Sequence, residues 1–243
     1  MINGFNSFKE WFSGYEEHYV VIGGMACDLL FDEVNADFRV TKDVDMVLLV
    51  EALSIDFGIR FWEYIKLAEY SNRYRSNGKP EYYRFINPLS EDYPYMIELF
   101  SRRIEGISLP DEAVLSPLPV DDSVSSLSAI LLDDEYYDFL KTGVRVVDGI
   151  PTLQATHLIP FKAKAWLDLT NRKSRGESVN SRDIRKHKND IVRLSSLMEE
   201  GTKISLPQTI LNDMHLFIKA IDNPKDYQRV ADTYSISETG GDL

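Results

Sequence analysis

The run Asp43-Val44-Asp45-Met46-Val47-Leu48-Leu49-Val50-Glu51 limits the fold more than any other part of the chain. Its apolar residues follow one another without alternation, which predicts a strand buried on both faces. Residues two apart on a strand share a face at a spacing of roughly 6.5 Å, so Asp43 and Asp45 point the same way from the start of that strand.

Strand and helix signals on either side supply the rest of an α+β domain with a mixed sheet flanked by helices. Aromatics at helical spacing over residues 5–17 predict an opening helix, and His18 to Ile22 reads as a strand. Gly23-Gly24 then turns the chain into a helix beginning at Met25. A further helix is expected over 57–69, a turn-rich connection over 71–80, and antiparallel strands over 82–86 and 95–100. Residues 106–120 read as proline-rich loop, and part of 121–140 as helix. Asp148-Gly149 between two short β-rich runs is a hairpin signature. Beyond about residue 155 only helical periods remain, over 157–169, 181–199 and 206–221. The expected organisation is therefore a catalytic domain over 1–155, a C-terminal helical domain over 156–235 closing a cleft, and a disordered tail over 236–243.

Two carboxylates on one strand face, near a strand–Gly-Gly–helix turn, make a pattern with chemical content. The pair can reach two metal ions about 3.5–4 Å apart. Magnesium, or manganese in its place, suits such a site, because it binds carboxylate oxygen and keeps phosphate and water as its other ligands. Gly23 and Gly24 let the backbone approach a phosphate, and the helix that follows turns unpaired N–H groups towards negative charge. Glu98, inside the apolar run Met96-Ile97-Glu98-Leu99-Phe100, is the candidate third metal ligand or general base, since a buried carboxylate needs a compensating cation. Each feature alone also has a structural reading: edge-strand acids, or an ordinary turn.

The segments Val20-Val21-Ile22-Gly23-Gly24-Met25-Ala26 and Arg39-Val40-Thr41-Lys42-Asp43-Val44-Asp45 resemble the AbiEii-type nucleotidyltransferases of the DNA polymerase beta-like superfamily. Phe161-Lys162-Ala163-Lys164-Ala165-Trp166 and Lys186-His187-Lys188-Asn189-Asp190-Ile191 are similar to that family's helical segments. The resemblance implies a nucleotidyltransferase core in which Asp43, Asp45 and Glu98 are catalytic and bind metal. It assigns nucleotide or phosphate binding to Gly23, Gly24, Arg39, Thr41, Lys162, Lys164, Lys186 and Asp190. Lys162 and Lys164 are alternatives for reaching the triphosphate, and they project from different sides of one helix. Lys186 and Asp190, at i and i+4, share a face, as a surface ion pair also would. The implied partners are a nucleoside triphosphate, an RNA, tRNA or protein acceptor, and an antitoxin. The chain departs from the pattern at Met25, where many relatives carry serine, and at Glu98, where aspartate is usual.

Composition narrows the alternatives. A net charge of −12 argues against nonspecific coating of nucleic acid. A basic group from Arg172 to Lys188 is the exception, and it also reads as a solvated helix face. One cysteine excludes an internal disulfide, and no apolar run reaches the roughly 20 residues of a membrane span. The start of the chain lacks the pattern of a secretory signal, so a cytoplasmic location is expected. The competing readings are a catalytically silent nucleotide- or partner-binding scaffold, an antibiotic-modifying nucleotidyltransferase using the same metal site, and a phosphohydrolase. The last is disfavoured because none of the four histidines lies near the carboxylate strand.

Overall fold

The computed structural model describes residues 4–39, 41–49, 51–74, 80–100, 130, 133–221 and 223–236, with side chains for all of these except 72–74, 80–83 and 224. The chain divides into two compact units, Met1–Val124 with Val144–Leu153, and Ser125–Gly143 with Gln154–Leu243.

The first unit is built on a seven-stranded mixed sheet in the order β3-β4-β5-β2-β1-β7-β6. Its strands are β1 (Tyr19–Ile22), β2 (Asp43–Leu48), β3 (Ser71–Tyr74), β4 (Pro80–Ile86), β5 (Met96–Phe100), β6 (Val144–Val147) and β7 (Ile150–Leu153). β2 lies inside the sheet, antiparallel to β1 and parallel to β5. Met46, Val47 and Leu48 are all buried, as a strand covered on both faces requires, while Asp43 and Asp45 stay half-exposed at its start.

The helices of this unit are α1 (Phe5–Trp11), α2 (Gly23–Glu33) and α3 (Ile55–Leu67). Aromatic rings pack α1 and α3 on one face of the sheet. Phe12 meets Tyr19, Phe57, Phe61 and Tyr64, and Phe61 meets Phe85 of β4. Truncating a ring buried in this way to alanine costs about 3–5 kcal/mol. α1 is shorter than the expected 5–17 helix, because the chain turns at Phe12 to bring Tyr19 under that ring. The connection expected over 71–80 includes a strand instead. Ser71–Tyr74 pairs with β4, so its backbone gains the ladder partners that its turn-rich composition did not advertise. The expected loop over 106–120 and most of the helix over 121–140 lie outside the described residues. Asp148 and Gly149 both have positive φ, 47° and 76°, as the tight turn between β6 and β7 demands.

In the second unit, α4 (Asp134–Thr142), α5 (Ala155–Ser174), α6 (Ser181–Ser195), α7 (Gln208–Ala220) and α8 (Gln228–Thr233) pack together. α4 was expected within the first 155 residues. It falls in the helical unit because Tyr136 packs edge-on against Phe161 and donates a hydrogen bond to Asp213 at 3.0 Å. Pro160 lies inside α5 and has no N–H for the carbonyl four residues earlier. That carbonyl, on Thr156, accepts instead from the Tyr234 hydroxyl at 2.6 Å. Ile236, expected to begin the disordered tail, is buried and donates its N–H to Ala231 at 2.8 Å; residues 237–243 lie outside the described residues. No helix among the described residues is long and apolar enough to cross a membrane.

His157 predicts a pH dependence of the helical unit. Its ring stacks on Phe139 at 4.1 Å, and a Cβ on Gly143 would overlap it. Burial pushes its pKa down from 6.5 to about 4. Between these values the unfolded chain binds a proton that the folded chain refuses, so stability is full above pH 6.5 and falls as pH drops towards 4, by up to about 3 kcal/mol. Urea melts at stepped pH are expected to show this acid-side loss, and His157→Gln to flatten it between pH 6.5 and 4.

Candidate active site

Register places the candidate acids. Ile22 of β1 lies opposite Asp45 of β2, Asp45 beside Glu98 of β5, and Glu98 opposite Arg84 of β4. Paired residues in adjacent strands share a face, so these four side chains form a row across the sheet. Phe85, next to Arg84, packs on Phe61 of α3, which puts the row on the face away from the aromatic layer. Asp43, two residues before Asp45, shares that face.

The glycine turn meets the row. Gly23 opens α2 with φ of 68°, and a Cβ there would overlap Asp45 Oδ2, so both the backbone angle and the neighbouring carboxylate require glycine. A Cβ on Gly24 would stand 2.9 Å from Thr41 Oγ1 and 3.1 Å from Arg39 Nη2. Gly23, Gly24, Arg39, Thr41 and Asp45, far apart in the chain, therefore occupy one corner of the molecule. α2 has no acidic residue in its first turn and no side-chain cap on its N-terminus. The positive end of its dipole faces this corner, an arrangement suited to anionic oxygen.

Glu98 is 6% exposed, and Arg84 Nη2 donates to its Oε1 at 2.9 Å. The guanidinium supplies the compensation that a buried carboxylate needs. Arg84 escaped the sequence reading; the signal for it was its place in Tyr82-Tyr83-Arg84-Phe85-Ile86, where a charge interrupts an otherwise apolar strand. Among the described residues no three His, Cys, Asp or Glu side chains sit close enough to form a metal cluster. A two-aspartate site remains compatible with magnesium, which is held by one or two carboxylates with phosphate and water completing its shell. Asp43 and Asp45, half-exposed on one face beside the glycine corner, fit that demand.

The remaining candidates belong to the helical unit. Lys162 and Asp190, both almost fully buried, form an ion pair at 2.8 Å from α5 to α6. Lys164 projects from another side of α5 and bonds Asp213 at 2.9 Å, which also holds the Tyr136 hydroxyl. Burial, followed by the Asp213 charge, keeps that hydroxyl protonated far above its ordinary range. Lys186 is exposed, whereas Asp190, four residues further along α6, is buried against Lys162. In the basic group, Arg172 and Arg175 both bond Glu177 and hold its carboxyl below the ordinary range, Arg172 contributing most.

No protein-family model matches the chain, and no curated protein matches it by sequence. Among solved structures, the solution structure of the antibiotic-resistance factor ANT(2'')-Ia aligns over 79% of this chain and 86% of its own, with 10% identity and a TM-score of 0.34.

Two measurements check this geometry. Gly23→Ala should destabilise the first unit by about 2 kcal/mol or more, combining positive-φ strain with the overlap on Asp45. Adding Asp45→Ala should recover the overlap part, so the double-mutant cycle gives a coupling of about 1 kcal/mol; strict additivity contradicts the placement. In the helical unit, Lys162→Met should cost about 3–5 kcal/mol by stranding Asp190, with most of it regained in Lys162→Met/Asp190→Leu, as read by urea denaturation.

Proposed function

We propose that this protein transfers a nucleotidyl group from a nucleoside triphosphate to an acceptor hydroxyl. The observation that carries this reading is the convergence of the Gly23-Gly24 turn, Arg39, Thr41, Asp45 and, by register, Glu98 on one sheet face at the uncapped start of α2. Each part has a task. The α2 N-terminus and Arg39 hold triphosphate oxygens, Asp43 and Asp45 ligate divalent cation, and Thr41 orients the phosphate or the acceptor. Bound magnesium or manganese would neutralise the phosphates and lower the pKa of the attacking hydroxyl.

In the reaction, the acceptor oxygen bonds to the α-phosphorus, the bond from that phosphorus to the α,β-bridging oxygen breaks, and pyrophosphate leaves with the electron pair. The acceptor proton passes to the Glu98 carboxylate. Arg84 donates to Oε1 of that group, and the second oxygen would take the proton. Lys162 and Asp190 neutralise each other inside the helical unit and are not needed for this scheme. The AbiEii resemblance extends the reading to a toxin acting on RNA, tRNA or protein and held in check by an antitoxin. A silent scaffold is the second reading. Its support is the Arg84–Glu98 pair, which already satisfies the proposed base.

Incubation with magnesium, each labelled triphosphate, total RNA and a cell extract should transfer label to an acceptor. Asp43→Asn and Asp45→Asn should reduce transfer to background, and Glu98→Gln should lower it about 100-fold or more. Triphosphate binding in calorimetry without transfer to any acceptor selects the scaffold; unchanged transfer in Asp45→Asn overturns the site.

A further inference from the structure

α6 carries a charge pattern that neither the fold nor the proposed reaction uses. Its inner face is buried through Asp190, Ile191, Leu194 and Ser195. On the opposite face Arg182, Arg185, Lys186 and Asn189 are exposed, and Arg193 is half-exposed. At 3.6 residues per turn, positions 182, 186, 189 and 193 follow one another along one stripe, with 185 beside it, over roughly 16 Å of helix axis. No acid interrupts that stripe. Residues 172–193 hold eight of the chain's 27 Lys and Arg residues but only three of its 39 acids. Two of those three are answered locally, Glu177 by Arg172 and Arg175, and Asp190 by Lys162. Stability alone does not ask for this pattern. Arg182 has like charges three and four residues on, at Arg185 and Lys186, and such neighbours weaken a helix. It also stands in the first turn, where the helix dipole disfavours a cation. The hairpin is nonetheless held firmly. Asn180 caps α6 by accepting from the Arg182 N–H at 2.9 Å, Lys173 donates to Ser181 Oγ at 2.6 Å, and Glu177 ties Arg172 to Arg175. A cation array on a fixed frame loses little freedom on binding.

We propose that this face of α6 docks the phosphate backbone of an RNA duplex. Arginine supplies three of the four cations on the stripe, and its planar fork of donors suits phosphate oxygens. No Phe, Tyr or Trp occurs between residues 167 and 216. The hairpin therefore lacks the rings on which unpaired bases stack, and its contacts run to the backbone of a paired helix. Asn189, among the cations, offers a donor and an acceptor together, which matches the ribose 2′-hydroxyl that DNA lacks. The net charge of −12 repels phosphate from the rest of the chain and confines contact to this face. The stripe lies within the helical unit, and its binding does not depend on the nucleotidyl-transfer reading.

Fluorescence anisotropy of the full chain with a labelled RNA duplex of about 16 base pairs, without metal or triphosphate, tests the surface. Log affinity should fall against log salt with a slope of about −3 to −4, as four phosphate contacts require. Arg182→Gln/Arg185→Gln/Lys186→Gln should weaken binding about tenfold or more and flatten that slope by about 2 to 3. Because this variant also removes like-charge neighbours, its urea midpoint should hold or rise. Arg193→Gln, at the far end of the stripe, repeats the check with about threefold weakening. Lys219→Gln, exposed on α7, should leave affinity unchanged. The RNA duplex should bind about threefold or more tightly than a DNA duplex of the same sequence, and Asn189→Leu should narrow that gap. Equal affinity for the two duplexes, or tighter binding of the single strand, overturns the assignment to duplex RNA. Tighter binding of a polyglutamate peptide overturns it in favour of an acidic protein partner. An unmoved triple variant, or an equal effect of Lys219→Gln and Arg193→Gln, overturns the stripe itself. Asp43→Asn/Asp45→Asn should bind the duplex as the intact chain does, so a failure of nucleotidyl transfer leaves this surface standing. Label transfer that persists while the triple variant binds RNA normally rejects the surface and leaves the transfer reading intact.

Discussion

The register of four strands is the constraint on which the rest of the structure depends. β1, β2, β5 and β4 align Ile22, Asp45, Glu98 and Arg84 in one row, and the opposite row carries the apolar residues that meet α1 and α3. A slip of one residue in β2 would drive Asp43 and Asp45 into the aromatic layer and expose Val44 and Met46. Burying two carboxylates there without partners is costly enough to forbid it, so the core that stabilises the unit also fixes where its acids stand. The glycine turn adds a second lock, because only a residue without Cβ fits between β1 and the Asp45 carboxylate.

Charge is handled differently in the two units. The helical unit closes its buried charges on themselves, Lys162 with Asp190 and Lys164 with Asp213 and Tyr136. Pairs of that kind define which helix faces meet, and they hold their partners in place more than they stabilise. In the sheet unit, Asp43 and Asp45 remain half-exposed beside an uncapped helix start, and a wall of carboxylates lines a cavity nearby. Water-accessible acids next to a backbone anion seat are costly to assemble for stability alone. Under the proposed function, that arrangement would bind cation and phosphate together.

The sequence made the central elements legible because their signals were local. Continuous apolar residues after Asp45 marked an inner strand, Gly23-Gly24 marked the start of α2, and Asp148-Gly149 marked a hairpin. β3 was hidden, since Ser71, Asn72 and Arg73 are turn-prone residues that become strand only through pairing with β4. The affiliation of α4 was hidden for the same reason: its place is decided by Tyr136 reaching Phe161 and Asp213, far along the chain. At the site, Asp45 and the glycines were readable from spacing, whereas Arg84 needed the β4–β5 register to be seen. The helical lysines carried no information about their protein partners, and Lys162 pairs with Asp190 from a helix further along the chain.

Cation binding at the aspartate pair tests the account most directly. Titration of manganese(II) followed by electron paramagnetic resonance, with an α,β-methylene triphosphate present, should show tight ions in the intact chain and their loss in Asp43→Asn/Asp45→Asn while the fold persists. Manganese binding of equal strength and number in the folded double variant would contradict it.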